Sequence, residues 1–525
     1  LRRSCLLKSL VWGCLLGGIA CQPLAAPPQL ADVRASSTDR CAGPGTGALP
    51  VIPGAAGFGM ATPAGRHGVI YKVTTLSDHP GRRGTLRACL EARGPRVCIF
   101  EVGGSIEPAR IDRQGWVVSD RDPDGVRREF RIVHPCITIA GQTAPPPGVS
   151  LVRAGLSIET HDVLLQHIAI RVGGELADTG QRLTTTRDGL GIRSLPAAGH
   201  PEVFNVVVDH VSVSWAVDEN VELYDGVIAA DRSPSRDHPR ADFFPTETVH
   251  DVTIRNSIIS GGLHASTHKK GPHSMGILVG EGIARFSLIG SLLAHNAARN
   301  PQIGGSTKTA LVNNVIFRSG SMATNFKLGP NGPAHASVVG NVFIDSVSPM
   351  RGAYPLPINF DSHVRPPSGF YVHDNTWRDR HGVLHEPRDP WDLVNNKAVR
   401  KRLPGATPEI EIRVIAPLVW PDALEALPSS ETERWVFGQA GSRPAERDSI
   451  DARTLREVRA RRCVRPGGER RCIIDSQDDV GGFPSASQVR RELHPPQDPS
   501  AQAEGGYTAL EVWLHAFARR VETAR

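Results

Sequence analysis

The chain has 525 residues, a formal charge of +6, 53 Gly, 42 Pro and only 5% aromatic residues. Its length admits two or three average domains or a single all-β solenoid, and its Gly and Pro content argues against an architecture of long helices. So mild a charge singles out no partner: it is compatible with an anionic polymer, but does not mark the chain as a nucleic-acid binder.

At the N-terminus, Arg2, Arg3 and Lys8 precede an apolar run over 9–20 and the small-residue stretch Leu24, Ala25, Ala26. This is the layout of a secretory signal peptide over 1–26, followed by an N-terminal extension over 27–53. The run is too short to span a bilayer. A lipoprotein site at Cys21 ranks second, because Gly18 stands where a branched apolar residue is expected. The expectation is a secreted protein, extracellular or periplasmic, with no membrane attachment once the signal is removed. Six cysteines remain after that removal: Cys41, Cys89, Cys98, Cys136, Cys463 and Cys472. An even count in an exported chain reads as three disulfides. Cys89 and Cys98 bracket one short loop and Cys463 and Cys472 another, which leaves Cys41 and Cys136; spacing suggests this pairing without fixing it, and buried free thiols are the alternative. No Cys-x-x-Cys pair is present, so a cysteine zinc site is not expected.

From the middle of the chain a short pattern recurs: alternating apolar residues, a polar corner, then a second apolar group. It runs through VLLQHIAIRV from Val163, NVVVDHVSVSW from Asn205, DVTIRNSIISG from Asp251, RFSLIGSLLAHN from Arg285, TALVNNVIFRSG from Thr309, ASVVGNVFID from Ala336 and FYVHDNTWRD from Phe370. The corners at His167, His210, Asn256, Ser291, Asn314, Asn341 and Asn375 are separated by unequal intervals, the shortest a bare coil and the longer ones the same coil carrying loops. Strands this short bury no apolar face alone; stacked coils pair each with the strand above and below. The fold class that follows is an all-β parallel β-helix solenoid over 54–380 with long loop insertions. A β-sandwich would need more even spacing and more hairpin turns. The inserts at 173–202, 225–249 and 262–273 leave neighbouring coils and are placed to wall a groove, which suits an extended polymer. Residues 381–525, rich in Pro, Arg and Glu and ending in the helical TALEVWLHAFARRVETA, read as a partly helical extension packed on the solenoid.

Several stretches then fall in a familiar order. GAAGFGMATPAGRHGVIYKVTTLSD from Gly54, GTLRACLEARGPRVCIFEVGGSI from Gly84, ITIAGQTAPPPGVSLV from Ile137, VVVDHVSVSWAVDENVEL from Val206 and ARNPQIGG with VNNVIF resemble the landmarks of the pectate lyases of polysaccharide lyase family one. The resemblance covers roughly 54–375, with fainter agreement in RDSIDARTLREV and DVGGFP. It implies a right-handed parallel β-helix and β-elimination on polygalacturonate: a base takes the proton at C5, the O4 glycosidic oxygen leaves, and calcium neutralises the uronate carboxylate.

Calcium takes several oxygen ligands, carboxylates among them. By the family pattern Asp188 in RDGLGI, Asp218 in DENVEL and Glu222, in place of an Asp, are the metal ligands. Asp218 and Glu222 are even-spaced and share a face if the segment is extended, while Glu219 then points the other way unless a bend brings it in. Arg299, in Arg299-Asn300-Pro301, matches the first half of the family's Arg-x-Pro-x-x-Arg and is the implied base; Pro301 restrains the backbone around it. Arginine holds its proton tightly, so this role calls for desolvation, nearby positive charge and high pH. Two departures stand out. Gly304 occupies the second Arg position, which leaves Lys269, Lys270, Lys308, Arg318 and Lys327 as candidate replacements. His273 stands near the family's substrate-binding Lys, so Lys269, Lys270, His273 and Lys327 are the candidate substrate-binding residues. Asp209, His210 and Trp215 read as structural corner residues. The expected partner is an acidic polysaccharide, bound by a monomer. The rival readings are a β-helical glycoside hydrolase using the same carboxylates, a calcium-independent pectin lyase, and a non-catalytic polysaccharide-binding β-helix.

Overall fold

The computed structural model describes residues 41, 49–109, 129–174, 187–196, 199, 202–226, 248–268, 270–329, 332–350, 352–361, 363–364, 367–397, 412–463, 465, 472–484 and 488–523. They belong to one compact unit, Asp39–Arg525. The expected signal peptide, most of the 27–53 extension, Lys269 and much of the inserts after 173 and 225 lie outside the described residues.

The chain winds through three sheets in turn. In one full coil Val203–Asp209 belongs to sheet one, Ser212–Ser214 to sheet two and Glu219–Asp225 to sheet three. The next coil repeats the order with Val249–Arg255, Ile258–Ser260 and Met275–Val279, each strand parallel to its predecessor. The sheets reach ten, eleven and nine strands respectively. Among the described strands two end pairings are antiparallel, Thr376–Arg378 with Leu384–His385 and Val102–Ile106 with Val489–Arg490. This is a parallel β-helix, and its strands run from Val69 to Asn395. Inward residues such as Val206, Val208, Val213, Val221 and Leu223 join one continuous apolar core along the axis. Three disulfides, Cys41–Cys136, Cys89–Cys98 and Cys463–Cys472, are present.

The corner between sheets one and two uses two adjacent positions for two different purposes. One takes the left-handed conformation that reverses the chain: His167, His210, Asn256, Gly290, Asn313, Gly340 and Asp374 all have φ between 45° and 66°. The residue after it ties coil to coil. Asn314 Oδ1 accepts Ser291 N–H at 2.9 Å, Asn341 Oδ1 accepts Asn314 N–H at 3.0 Å, and Asn375 Oδ1 accepts Asn341 N–H at 2.9 Å. Ser291 and Ser257 hydroxyls carry the column back to Val211. The series of corner residues taken from the sequence therefore mixes both positions: its first three members turn the chain and its last four form the ladder.

The outer faces of two sheets are covered. Helices Ser429–Gln439 and Ser449–Ala460 place Val436, Leu455 and Val458 on Ile258, Leu292, Val315 and Val342 of sheet two. Helix Ala509–Glu522 lays Leu510 and Leu514 on Val97, Ile99 and Ala140 of sheet one, and Val51 and Met60 cover Leu164 and Val207 of the same sheet. Sheet three bears the charges described next.

Candidate active site

Strand alternation builds the site. On Leu190–Ser194 the even-numbered Leu190 and Ile192 enter the core, so Gly191 and Arg193 stand on the outer face. By the same parity Glu129 and Arg131 flank the core residue Phe130, and Glu222 lies between the core residues Val221 and Leu223. Register sets Gly191 beside Glu222. A Cβ on Gly191 would lie 2.5 Å from Arg193 Nε, so the absent side chain is the notch in which that guanidinium rests. From it Arg193 donates through Nε to Glu222 at 3.0 Å, through Nη1 to Glu129 at 3.2 Å and through Nη2 to Asp188. Asp188 and Glu222 are thus brought together, around an arginine that the sequence reading passed over.

Arg299 approaches from the turn after sheet two. Its φ of 61° is left-handed, a conformation that an ordinary side chain adopts at a cost of roughly 1–2 kcal/mol. The surroundings hold it there. Ile277 N–H donates to Arg299 C=O at 2.6 Å, and Gly276 permits the approach, since a Cβ there would sit 2.4 Å from that oxygen. Asn300 is locked by Asn296, which bonds its Oδ1 at 3.0 Å and itself accepts from Asn220 at 2.9 Å. The pinning expected from Pro301 thus rests on an amide network and one glycine. The Arg299 guanidinium meets Glu219 directly.

Asp218 and Glu219 exchange the positions that simple alternation assigns. The strand begins at Glu219, so Asp218 lies in the preceding bend, outside the alternation. Its oxygens face His273 Nε2 at 2.5 Å and His268 Nε2 at 3.3 Å, with the two imidazoles stacked 4.0 Å apart. His268 Nδ1 accepts the Lys270 N–H at 3.2 Å, so the ring proton is on Nε2 and points toward Asp218. His273 is buried on Asp218. Lys270 and Lys327 are exposed, Lys327 directly after strand Thr324–Phe326 of sheet three. Two other candidate cations are placed elsewhere: Lys308 opens a strand of sheet one, and Arg318 is buried against Asp345, with Nε to Oδ1 2.7 Å. Gly304 leaves no space for a side chain, because a Cβ would come 2.9 Å from Glu281 N.

The electrostatics follow from crowding. Burial, with the charge of Asp218 against that of Arg193, pushes Asp188 up to about 6; burial and the charge of Asp188 push Glu222 to about 7. Burial works against the Arg193 charge, but Asp188, Glu129 and Glu222 outweigh it and hold its proton. At Arg299 burial wins and lowers the pKa against the opposing Asp218 and Asp188. Asp188, Glu219 and Glu222 each offer an oxygen within 4.8 Å of the others. Three gathered carboxylates, of which Asp188 and Glu222 are held above their usual range chiefly by burial, fit a hard dication such as calcium. On this geometry Glu219 replaces Asp218 in the trio, and Arg193 shares Asp188 and Glu222 with any bound cation.

No protein-family model matches the chain. It is similar to "Probable pectate lyase C" of Aspergillus oryzae, 28% identical over 491 residues covering 90% of this chain and 95% of that protein. It is also similar to "Probable pectate lyase C" of Aspergillus terreus, 26% identical over 490 residues, 90% and 94% of the two chains. Among solved structures it is similar to the major cedar-pollen allergen, at 14% identity, 74% and 92% coverage and a TM-score of 0.43. A Bacillus subtilis pectate lyase mutant aligns at 10% identity, 78% and 99% coverage and a TM-score of 0.40.

Proposed function

We propose that the chain, similar to proteins named pectate lyase, is a secreted polysaccharide lyase that cleaves polygalacturonate-type pectin by calcium-assisted β-elimination, with Arg299 as base. The observation that carries this reading is the meeting of a half-buried, backbone-pinned Arg299 with a carboxylate cluster through Glu219, which gathers with Asp188 and Glu222. The last three are the residues that would hold calcium. Bound there, calcium supplies Lewis-acid neutralisation of the substrate carboxylate and of the charge that develops on it.

The rest falls to the chain's own side chains. Arg299 accepts the C5 proton, the C5–H electron pair forms the C4–C5 double bond, and the O4 oxygen departs and is reprotonated from water. Burial favours the neutral guanidine this requires, while Asp218 and Asp188 oppose it and Glu219 pairs with the guanidinium directly. The base is therefore competent only when Glu219 is engaged elsewhere and the medium is alkaline. Arg193 supplies, within the same cluster, the second cation that the family pattern has at Gly304. Lys270 and Lys327 are exposed to meet flanking uronates, and His273 orients Asp218. Three disulfides favour an oxidising compartment, and among the described residues no helix is long and apolar enough to cross a membrane.

The test is absorbance of the conjugated product on polygalacturonate, from neutral to alkaline pH, with calcium or chelator. Calcium-dependent absorbance that rises with pH is expected. Chain cleavage in chelator with no unsaturated product would replace the lyase by a hydrolase.

A further inference from the structure

The corner joining sheets one and two carries a second cluster, away from sheet three. His167, Asp209, His210 and Glu522 each direct one nitrogen or oxygen to a common point, all four atoms lying within 4.8 Å of one another. His167 and His210 stack 4.9 Å apart, and Glu522 reaches in from the last turn of helix Ala509–Glu522. His167, Asp209 and His210 are at most 3% exposed, yet His167 Nε2, Asp209 Oδ1 and both ring nitrogens of His210 have no hydrogen-bond partner. His210 Nδ1 is 2.9 Å from Asp209 Oδ1 but off the line of a hydrogen bond, and 3.7 Å from Glu522 Oε1.

The tautomer of His167 sharpens the problem. Its Nδ1 lies 2.8 Å from the carbonyl oxygen of Ser442, which can only accept, so Nδ1 carries the proton. In the neutral ring Nε2 then presents a lone pair to Glu522 Oε1 at 3.3 Å, acceptor against acceptor. A ring N–H spent on a backbone carbonyl is the outer support of metal-bound histidines. Gln166 donates to Asp209 Oδ2 at 2.9 Å and fixes the carboxylate likewise. The one nearby cation, Arg255, stays 3.6 Å from Asp209 Oδ1, beyond a hydrogen bond. Two neutral imidazoles and two carboxylates balance a dication, and four protein ligands with none left over make a closed, structural site. His268 and His273 differ here, since the His268 proton sits on the nitrogen that faces Asp218.

We propose that His167, Asp209, His210 and Glu522 bind one zinc-like dication that fastens the C-terminal helix to the solenoid. The full chain is loaded with zinc, dialysed with a calcium-selective chelator and analysed by mass spectrometry; about one zinc per chain is expected to remain. Stripping it with phenanthroline should lower Tm, and zinc but not calcium should restore it. Glu522→Gln and His167→Gln should each lose the bound equivalent, and Glu522→Gln should keep polygalacturonate turnover. Co2+ added to the stripped wild-type chain should give tetrahedral visible bands, a readout that needs no variant to fold. Absence of retained zinc and of those bands, or a full equivalent still held by Glu522→Gln, overturns the site and leaves an imidazolium of His167 paired with Glu522. Neither result bears on the lyase reading.

Discussion

Arg171 and Arg193 each hold more than one carboxylate, yet only Arg193 belongs to the candidate site. Arg171, at 0% side-chain exposure, bonds Asp448 and Asp451 of the tail at 2.8 Å each and Ser214 at 2.7 Å. Its partners are bonded in turn: Asp448 caps helix Ser449–Ala460, and Asp451 accepts the Ser212 hydroxyl at 2.5 Å. Arg193 faces three carboxylates, of which Asp188 and Glu222 stay above their ordinary range despite it. A buried guanidinium whose carboxylate partners also cap a helix and accept a hydroxyl is a strut that locks the tail to the solenoid. A cluster with surplus negative charge on an outer face has something left to bind.

The contrast can be broken experimentally. The largest effect should come from Arg299→Ala, on the order of 10⁴-fold in kcat on polygalacturonate, with polymer binding retained in a sedimentation assay; retained turnover would remove the base. Next, Arg171→Ala should cost about 3–5 kcal/mol in a denaturant titration, because it strands the buried Asp451 and the half-buried Asp448, whereas Arg193→Gln should cost less at neutral pH, because Asp188 and Glu222 can take up protons when the guanidinium is lost. Equal losses would erase the distinction between strut and site. Glu222→Gln should weaken the calcium midpoint for activity by about 10-fold, read from calcium titrations. The smallest effect concerns pH. Because Asp188 and Glu222 titrate near 6 and 7 when folded but lower when unfolded, the folded chain keeps protons that the unfolded chain has released. The stability from these two groups falls as pH rises through that window, and calcium returns it. The calcium-induced gain in Tm should therefore be larger at about pH 8 than at about pH 5.5.

Much of this architecture is legible from the residues. The recurring corners disclose the coils, and the ordered landmarks point to Asp188, Glu222 and Arg299. What escapes has physical causes. Arg193 is one arginine in an arginine-rich chain, visible only when Leu190, Gly191, Ile192 and Arg193 are read as alternating in and out. Glu219 and Asp218 defy parity because the strand starts between them. The partners of Arg171 lie 277 and 280 residues away, a distance over which no local pattern speaks. The asparagines that hold Arg299, Asn220, Asn296 and Asn300, come from two different coils, and their amides meet only once the coils are in place.

The shortest turn of the solenoid among the corners compared advances 23 positions, from Ser291 to Asn314, and there Asn314 Oδ1 accepts the Ser291 N–H across the two rungs. Each such turn advances the axis by one strand spacing, about 4.8 Å. Inserting a coil of that length beyond the site would lengthen the protein by a fixed quantum while the other rungs kept their neighbours, whereas deleting this one would take Arg299 with it.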